Sequence, residues 1–223
     1  MRSLIVAAAI ATFSGVCVMP MPANAQDRSR QSAERATADR MPPIPADTLT
    51  AAQQKAIEEF KAARSADVTG PFIPLLRSPE VMTRARAMGD YLRFKSALPP
   101  RLSEFVILLT ARGWTQQYEW NAHAPLAAQG GLAAATIQAI ADGRRPSKMA
   151  EDEDAMYSLV EEIDRNRAVS DATYARAIAA VGEQGVIDAI AIHGQYTMLA
   201  MVLNTARTPL PSGATPALPP FPR

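Results

Sequence analysis

Helix start and stop signals recur along this chain from about residue 48 to residue 207, while strand signals are nearly absent, so the chain is confined to a bundle of helices. Thr50 with Gln53 reads as a capping box ahead of a helix over 51–63, with Ile57 and Phe60 facing inward. Ser78-Pro79-Glu80 supplies a cap, a first-turn proline and an acid for a second helix reaching about Phe94. Pro99-Pro100 opens a third over 101–112, closed by Gly113. A fourth runs from about 115 to Gln129 and stops at Gly130-Gly131, and a short fifth covers 132–141. Four consecutive acids, Glu151 to Asp154, suit the positive end of a sixth. Ser170 and Asp171 cap a seventh, and Gly185 precedes a long last helix to about Ala206. Phe72-Ile73-Pro74-Leu75-Leu76 is the nearest approach to a strand, and proline breaks it. The expected class is all-α.

The ends differ in character from this middle. Arg2, the apolar run Leu4–Ala11 and Ala23-Asn24-Ala25 read as an export signal over 1–25, cleaved after Ala25. The run is too short to span a bilayer comfortably, so no stable membrane insertion is expected once it is cut. The expected location is the periplasm or outside the cell. Residues 26–47 read as a flexible arm, 48–207 as one helical domain, and the proline-rich 208–223 as an extended tail, poorly ordered or draped over a neighbouring subunit. With 223 residues, one domain is expected, and a formal charge of +1 excludes a generic basic nucleic-acid binder. The single cysteine, Cys17, lies in the leader, so the cleaved chain has no thiol for catalysis or redox exchange.

Chemistry concentrates between Arg101 and His123. Glu104 precedes Phe105-Val106-Ile107-Leu108-Leu109, which places a carboxylate along an apolar helix face, where it needs a partner or a raised pKa. Glu119 and His123 stand four apart and share a face of the next helix. If the Gly113 turn folds the two helices back to back, Glu104, Glu119 and His123 meet, and a His held by carboxylates can shuttle protons. A surface ion pair is the plainer reading of that spacing. A metal site is a third, although helical di-iron proteins use Glu-x-x-His in duplicate and this chain has Glu-x-x-x-His once. Tyr118 and Trp120 offer a hydroxyl and an apolar wall, or simple core packing. His193 stands alone in an apolar helix, as either a pocket group or a satisfied core histidine. Arg93, Lys95 and Arg101 could bind a carboxylate or form a solvated rim.

The segment from Ser78 to Leu132, with LPPRLSE leading one helix and YEWNAH carrying the site, resembles the carboxymuconolactone decarboxylase-like family, which shares the alkylhydroperoxidase D fold. IHGQYTMLAMVLNTARTPLP resembles that family's closing helix, so the likeness covers about Gly70 to Pro211. The peroxidase branch carries a Glu, then Cys-x-x-Cys, then, after three intervening residues, a His. At that spacing the Glu falls on Glu104 and the His on His123, while the cysteine positions fall on Gln116 and Glu119. The resemblance therefore implies the fold and a Glu/His site without hydroperoxide reduction. It also implies a homo-oligomer, trimeric or hexameric, and makes Tyr196 and Asn204 pocket or subunit-contact groups.

The expectation is an exported, cofactor-free lyase or hydrolase acting on a small carboxylated lactone or related acid. Glu104, Glu119 and His123 are the expected catalytic residues, and Tyr118, Trp120, His193 and Tyr196 the expected substrate-binding ones, with no metal and no cofactor. Export does not suit cytosolic aromatic-acid breakdown, so the reaction is left broader than the family's own. The alternative is a non-catalytic binding or scaffold protein on the same fold.

Overall fold

Among the described residues, 38–219, a computed structural model contains eight α-helices and no strand. They are α1 (Ala51–Arg64), α2 (Phe72–Leu75), α3 (Pro79–Phe94), α4 (Pro100–Gly113), α5 (Gln117–Gln129), α6 (Ala134–Ala141), α7 (Glu151–Asn166) and α8 (Asp171–Ala206). The leader over 1–25, Cys17 and the arm as far as residue 37 lie outside the described residues, as does the end of the tail. Asp39 onward forms one compact unit.

Most of the local signals act as their chemistry requires, although Ser78, at the N-cap position of α3, makes no side-chain capping hydrogen bond. Thr50 Oγ1 accepts from Gln53 N at 3.2 Å and Gln53 Oε1 accepts from Thr50 N at 2.9 Å, which closes the capping box of α1. Pro79 and Pro100 occupy first-turn positions, where no backbone donor is lost. The proline-broken Phe72–Leu75 is a single helical turn. The run 171–206 is two helical segments meeting at Gly182, whose φ of 71° and ψ of 172° leave the helix, so the break falls three residues before Gly185.

α4 is the axis of the unit. Residues 102–108 and 110–112 are buried, so apolar surface is covered on every side of the helix. α5, α7 and α8 pack most closely on it, with α3 and α6 completing the shell. Polar ties fix the neighbours. Arg101 of α4 pairs with Asp152 and Glu153 at the start of α7. Asp188 of α8 accepts from Ala97 N at 2.7 Å, which holds the α3–α4 connection. α8 is apolar and long enough to cross a bilayer by length and composition, yet 56% of its most apolar window is buried in the fold.

The two ends of the described chain are pinned to this unit. Arg40 N donates to Ala206 O at 2.7 Å and Arg77 donates to Pro42 O at 2.7 Å, so the last part of the expected arm lies along the helices. The tail does not leave the fold either. Gln117 Oε1 accepts from Ala217 N and Leu218 N at 2.9 and 3.0 Å, Arg112 donates to Pro219 O at 2.7 Å, and Leu218 is buried. Proline leaves the tail unable to pair as helix or strand, and side-chain amides on α5 supply its partners instead.

Leu108 has no exposed surface and sits at the centre of α4. Leu108→Ala should lower unfolding free energy by about 2–5 kcal/mol through lost transfer energy and the cavity left behind, as read from urea denaturation.

Candidate functional site

Glu104 is buried on α4 beside Phe105, Val106, Ile107 and Leu108, so its charge has to be answered from another element. The short turn 114–116 sends α5 back along α4 and brings His123 opposite. His123 Nδ1 lies 2.7 Å from Glu104 Oε2, with both side chains buried. Nδ1 is thereby committed, and Nε2 is the ring nitrogen left for a ligand. The ring also packs edge-on against Tyr196 of α8, with centroids 5.0 Å apart and an interplanar angle of 88°.

Glu119 does not join this pair. It is 3% exposed, and neither carboxyl oxygen has a hydrogen-bond partner. In the α4–α5 hairpin, moving back from 123 to 119 moves forward along α4 from 104 toward Leu108, one turn away from the Glu104 carboxylate. Burial alone pushes the Glu119 pKa well above the ordinary glutamate value of 4.5, which favours a neutral carboxyl able to donate as well as accept.

His123 and Glu119 share a cavity of about 210 Å³. α1 contributes Arg64, α3 contributes Arg93 and Gly89, α5 contributes Tyr118, Glu119 and His123, and α8 contributes Gln195 and Tyr196. Arg64 is held by Asp90 at 2.8 Å and lies over the Phe60 and Phe72 rings. Arg93 stacks on Phe94, and its Nε is buried with no hydrogen-bond partner. Burial raises the phenol pKa values of Tyr118 and Tyr196; at Tyr196 the Glu104 and Glu119 carboxyls raise it further, against Arg93 and Arg64. Both therefore stay protonated as donors at neutral pH. Gly70 has φ +58°, and a Cβ there would stand 2.8 Å from the Tyr118 ring, so glycine permits this wall to close.

Of the expected substrate-binding residues, Tyr118 and Tyr196 line the cavity, and Trp120 and His193 do not. Trp120 is one position on from Glu119, a rotation of about 100° around the helix, and its indole is buried in the apolar core. His193 is a polar node between helices. Its Nδ1 lies 2.9 Å from Thr110 Oγ1 on α4 and its Nε2 lies 3.0 Å from Asp164 Oδ1 on α7, so both nitrogens are occupied. The basic cluster also divides. Arg93 reaches the cavity, Arg101 is committed to α7, and Lys95 is exposed. Gln116 ties α5 to α8, its Nε2 donating to Asn204 Oδ1 at 2.7 Å.

Sequence reading passed over Arg64, Gly89 and Gln195. Gln195 had a readable signal, a neutral amide within the apolar run of α8; the other two had none beyond their helices. Among the described residues no group of three His, Cys, Asp or Glu side chains is set to hold a metal ion. The site is thus a half-open cavity with a His–carboxylate pair, a buried carboxyl without a hydrogen-bond partner and two arginines, on an all-helical frame. No protein-family model matches the chain, and no curated protein matches it.

Since burial raises the Glu119 pKa in the folded state, the folded chain keeps a proton that the unfolded chain releases. The stability this contributes is complete below the unfolded value and is lost as pH rises through the folded one. Wild type should therefore lose up to about 1.4 kcal/mol per pH unit across that window. Glu119→Gln should remove this dependence, as measured by urea midpoints at a series of pH values. Gly70→Ala should cost about 1–3 kcal/mol of stability by backbone strain and the clash with Tyr118, measured by thermal denaturation.

Proposed function

We propose that this chain is an exported acid–base enzyme of the carboxymuconolactone decarboxylase-like family, working without a cofactor on a small carboxylated lactone or related acid. The observation that carries the reading is the buried Glu104–His123 pair, whose second ring nitrogen remains available beside a cavity that also holds the unpartnered Glu119. Arg93 is the group to bind a substrate carboxylate, because its Nε lacks a protein acceptor. His123 Nε2 exchanges a proton with the reacting carbon, and Glu104 holds the ring tautomer and stabilises the imidazolium. Neutral Glu119 donates to the oxygen on which charge develops.

For a carboxy-lyase reaction, the bond from the substrate carbon to its carboxyl group breaks and carbon dioxide leaves. The electron pair passes into the conjugated carbonyl as an enolate, and His123 then protonates the carbon. The same pair can instead take a proton from water attacking a lactone carbonyl. Both reactions need a histidine that changes charge against a fixed carboxylate. The family resemblance of 70–211 supports the first, and it supports an alkylhydroperoxidase D-like arrangement of the helices.

Assembly into trimers or hexamers of identical subunits, in the periplasm or outside the cell, belongs to the same proposal. Its support is apolar surface left open on α3 and α8, including Phe94 at 68% and Ile187 at 64% exposed, together with the leader-like first 25 residues.

Small lactones and unsaturated acids screened against wild type and His123→Ala provide the test. His123→Ala should lower kcat/KM by about 10²–10⁴. Glu104→Gln keeps an acceptor for Nδ1 and should lower it less, with a shifted pH–rate profile. Equal turnover by wild type and His123→Ala removes the proposed role of the histidine.

A further inference from the structure

Gln195 is 2% exposed and lines the same cavity as Glu119, from a different helix. Its amide orientation is fixed, since Nε2 donates to Ala85 O of α3 at 2.9 Å. That bond leaves Oε1 as an acceptor, and Oε1 is buried with no partner. A buried acceptor left unpaired is costly, and native chains retain one mainly where something else completes it. Gln195 is also one of the residues that line the cavity. Gly89 on α3 lies beside Gln195 and Arg64 on this wall, where a Cβ would stand 3.6 Å from Gln195 Nε2 and 3.8 Å from Arg64 Nη2.

We infer that Gln195 is the specificity residue of this site, its Oε1 accepting a hydrogen bond from a hydroxyl group of the ligand, so that the cavity selects a hydroxylated small acid over the same acid without the hydroxyl. This rests on the small-acid reading of the cavity and adds a second recognition point to it. The complement of groups on the wall is consistent: Arg93 offers a donor to an anionic acceptor, and Gln195 offers an acceptor to a donor. An ammonium group would also donate to Oε1, but the cavity charge disfavours it. Asp90 is shared between Arg64 and Arg86, at 2.8 and 2.6 Å, and Glu104 is taken by His123, so with Arg93 the arginine side of the wall keeps an excess of positive charge. A neutral hydroxyl meets no such repulsion. About 210 Å³ is roughly seven water volumes, room for a monocyclic or short-chain acid.

The test is titration calorimetry on the full folded chain with two matched sets of probes. One is benzoate with its three monohydroxy isomers, and the other is propionate with lactate and 3-hydroxypropionate. At least one hydroxylated member should bind wild type about tenfold more tightly than its parent acid, the usual penalty for leaving a buried acceptor unpaired. In Gln195→Leu that ratio should fall to about one, whatever the loss of the Ala85 tie does to affinity for the parent acid. Gln195→Met, which keeps the side-chain length without a polar atom, should do the same and replaces the first variant if that one folds poorly by circular dichroism. A merely structural glutamine would weaken parent and hydroxylated acid alike and leave their ratio unchanged. Acids that bind wild type with no hydroxyl preference, or a preference that survives both substitutions, overturn the role of Gln195 and leave the small-acid reading standing. Binding of no acid in either set overturns both.

Discussion

The rest of this structure depends on a carboxylate buried in the middle of an apolar helix bundle. Glu104 sits on α4, the helix that the remainder of the chain surrounds, and it cannot remain charged there without a partner. His123 provides that partner at 2.7 Å, which sets the register of α5 on α4. Breaking the pair would leave an uncompensated buried group, so it is under structural as well as chemical constraint. Its cost is offset by the packing of α4 on every side, where Phe105, Val106, Ile107 and Leu108 contribute about 1.5–3 kcal/mol each by leaving water.

Once that register is set, the cavity follows from which residues flank it. Along α5, Tyr118, Glu119 and His123 share the open side, while Trp120 turns into the core and anchors the helix. α8 closes the cavity with Gln195 and Tyr196, and its own placement is secured by separate polar ties. His193 binds Thr110 and Asp164, Asp188 binds Ala97, and Gln195 binds Ala85. The two histidines of the chain thus have opposite fates. His123 gives Nδ1 to Glu104 and lines the cavity, whereas His193 spends both nitrogens on holding helices together.

The same burial explains the electrostatic division of the site. Glu104 and Glu119 are two carboxyls in one small region. Glu104 is answered by an imidazole, and Glu119, with no partner, is driven toward its neutral form by desolvation. One carboxyl is thereby suited to stabilise positive charge and the other to donate a proton or a hydrogen bond. Neighbouring environments rather than residue type separate the two roles.

Much of the helical frame was legible in the chain itself, because caps and breakers act over a few residues. Thr50 with Gln53, Pro79, Pro100 and the four acids at 151–154 each start a helix where local hydrogen bonding and the helix dipole require it. Spacing also indicated Glu104 and His123, since an antiparallel hairpin with a short turn leaves few ways to place them. It could not separate Glu119 from that pair or Trp120 from the cavity, because i,i+4 proximity fixes a face but not the direction a side chain takes against a second helix. The break in α8 fell at Gly182 rather than near Gly185, and the proline-rich tail was held by Gln117 and Arg112, residues about a hundred positions away. By itself, then, the sequence determined the all-helical class and most helix starts and pointed to Glu104 and His123 as neighbours, all consequences of local periodicity and of the cost of burying charge. Only the tertiary structure decided that Arg93 and Gln195 face one cavity while Trp120 and His193 do not, because that depends on how helices far apart in the chain pack across α4.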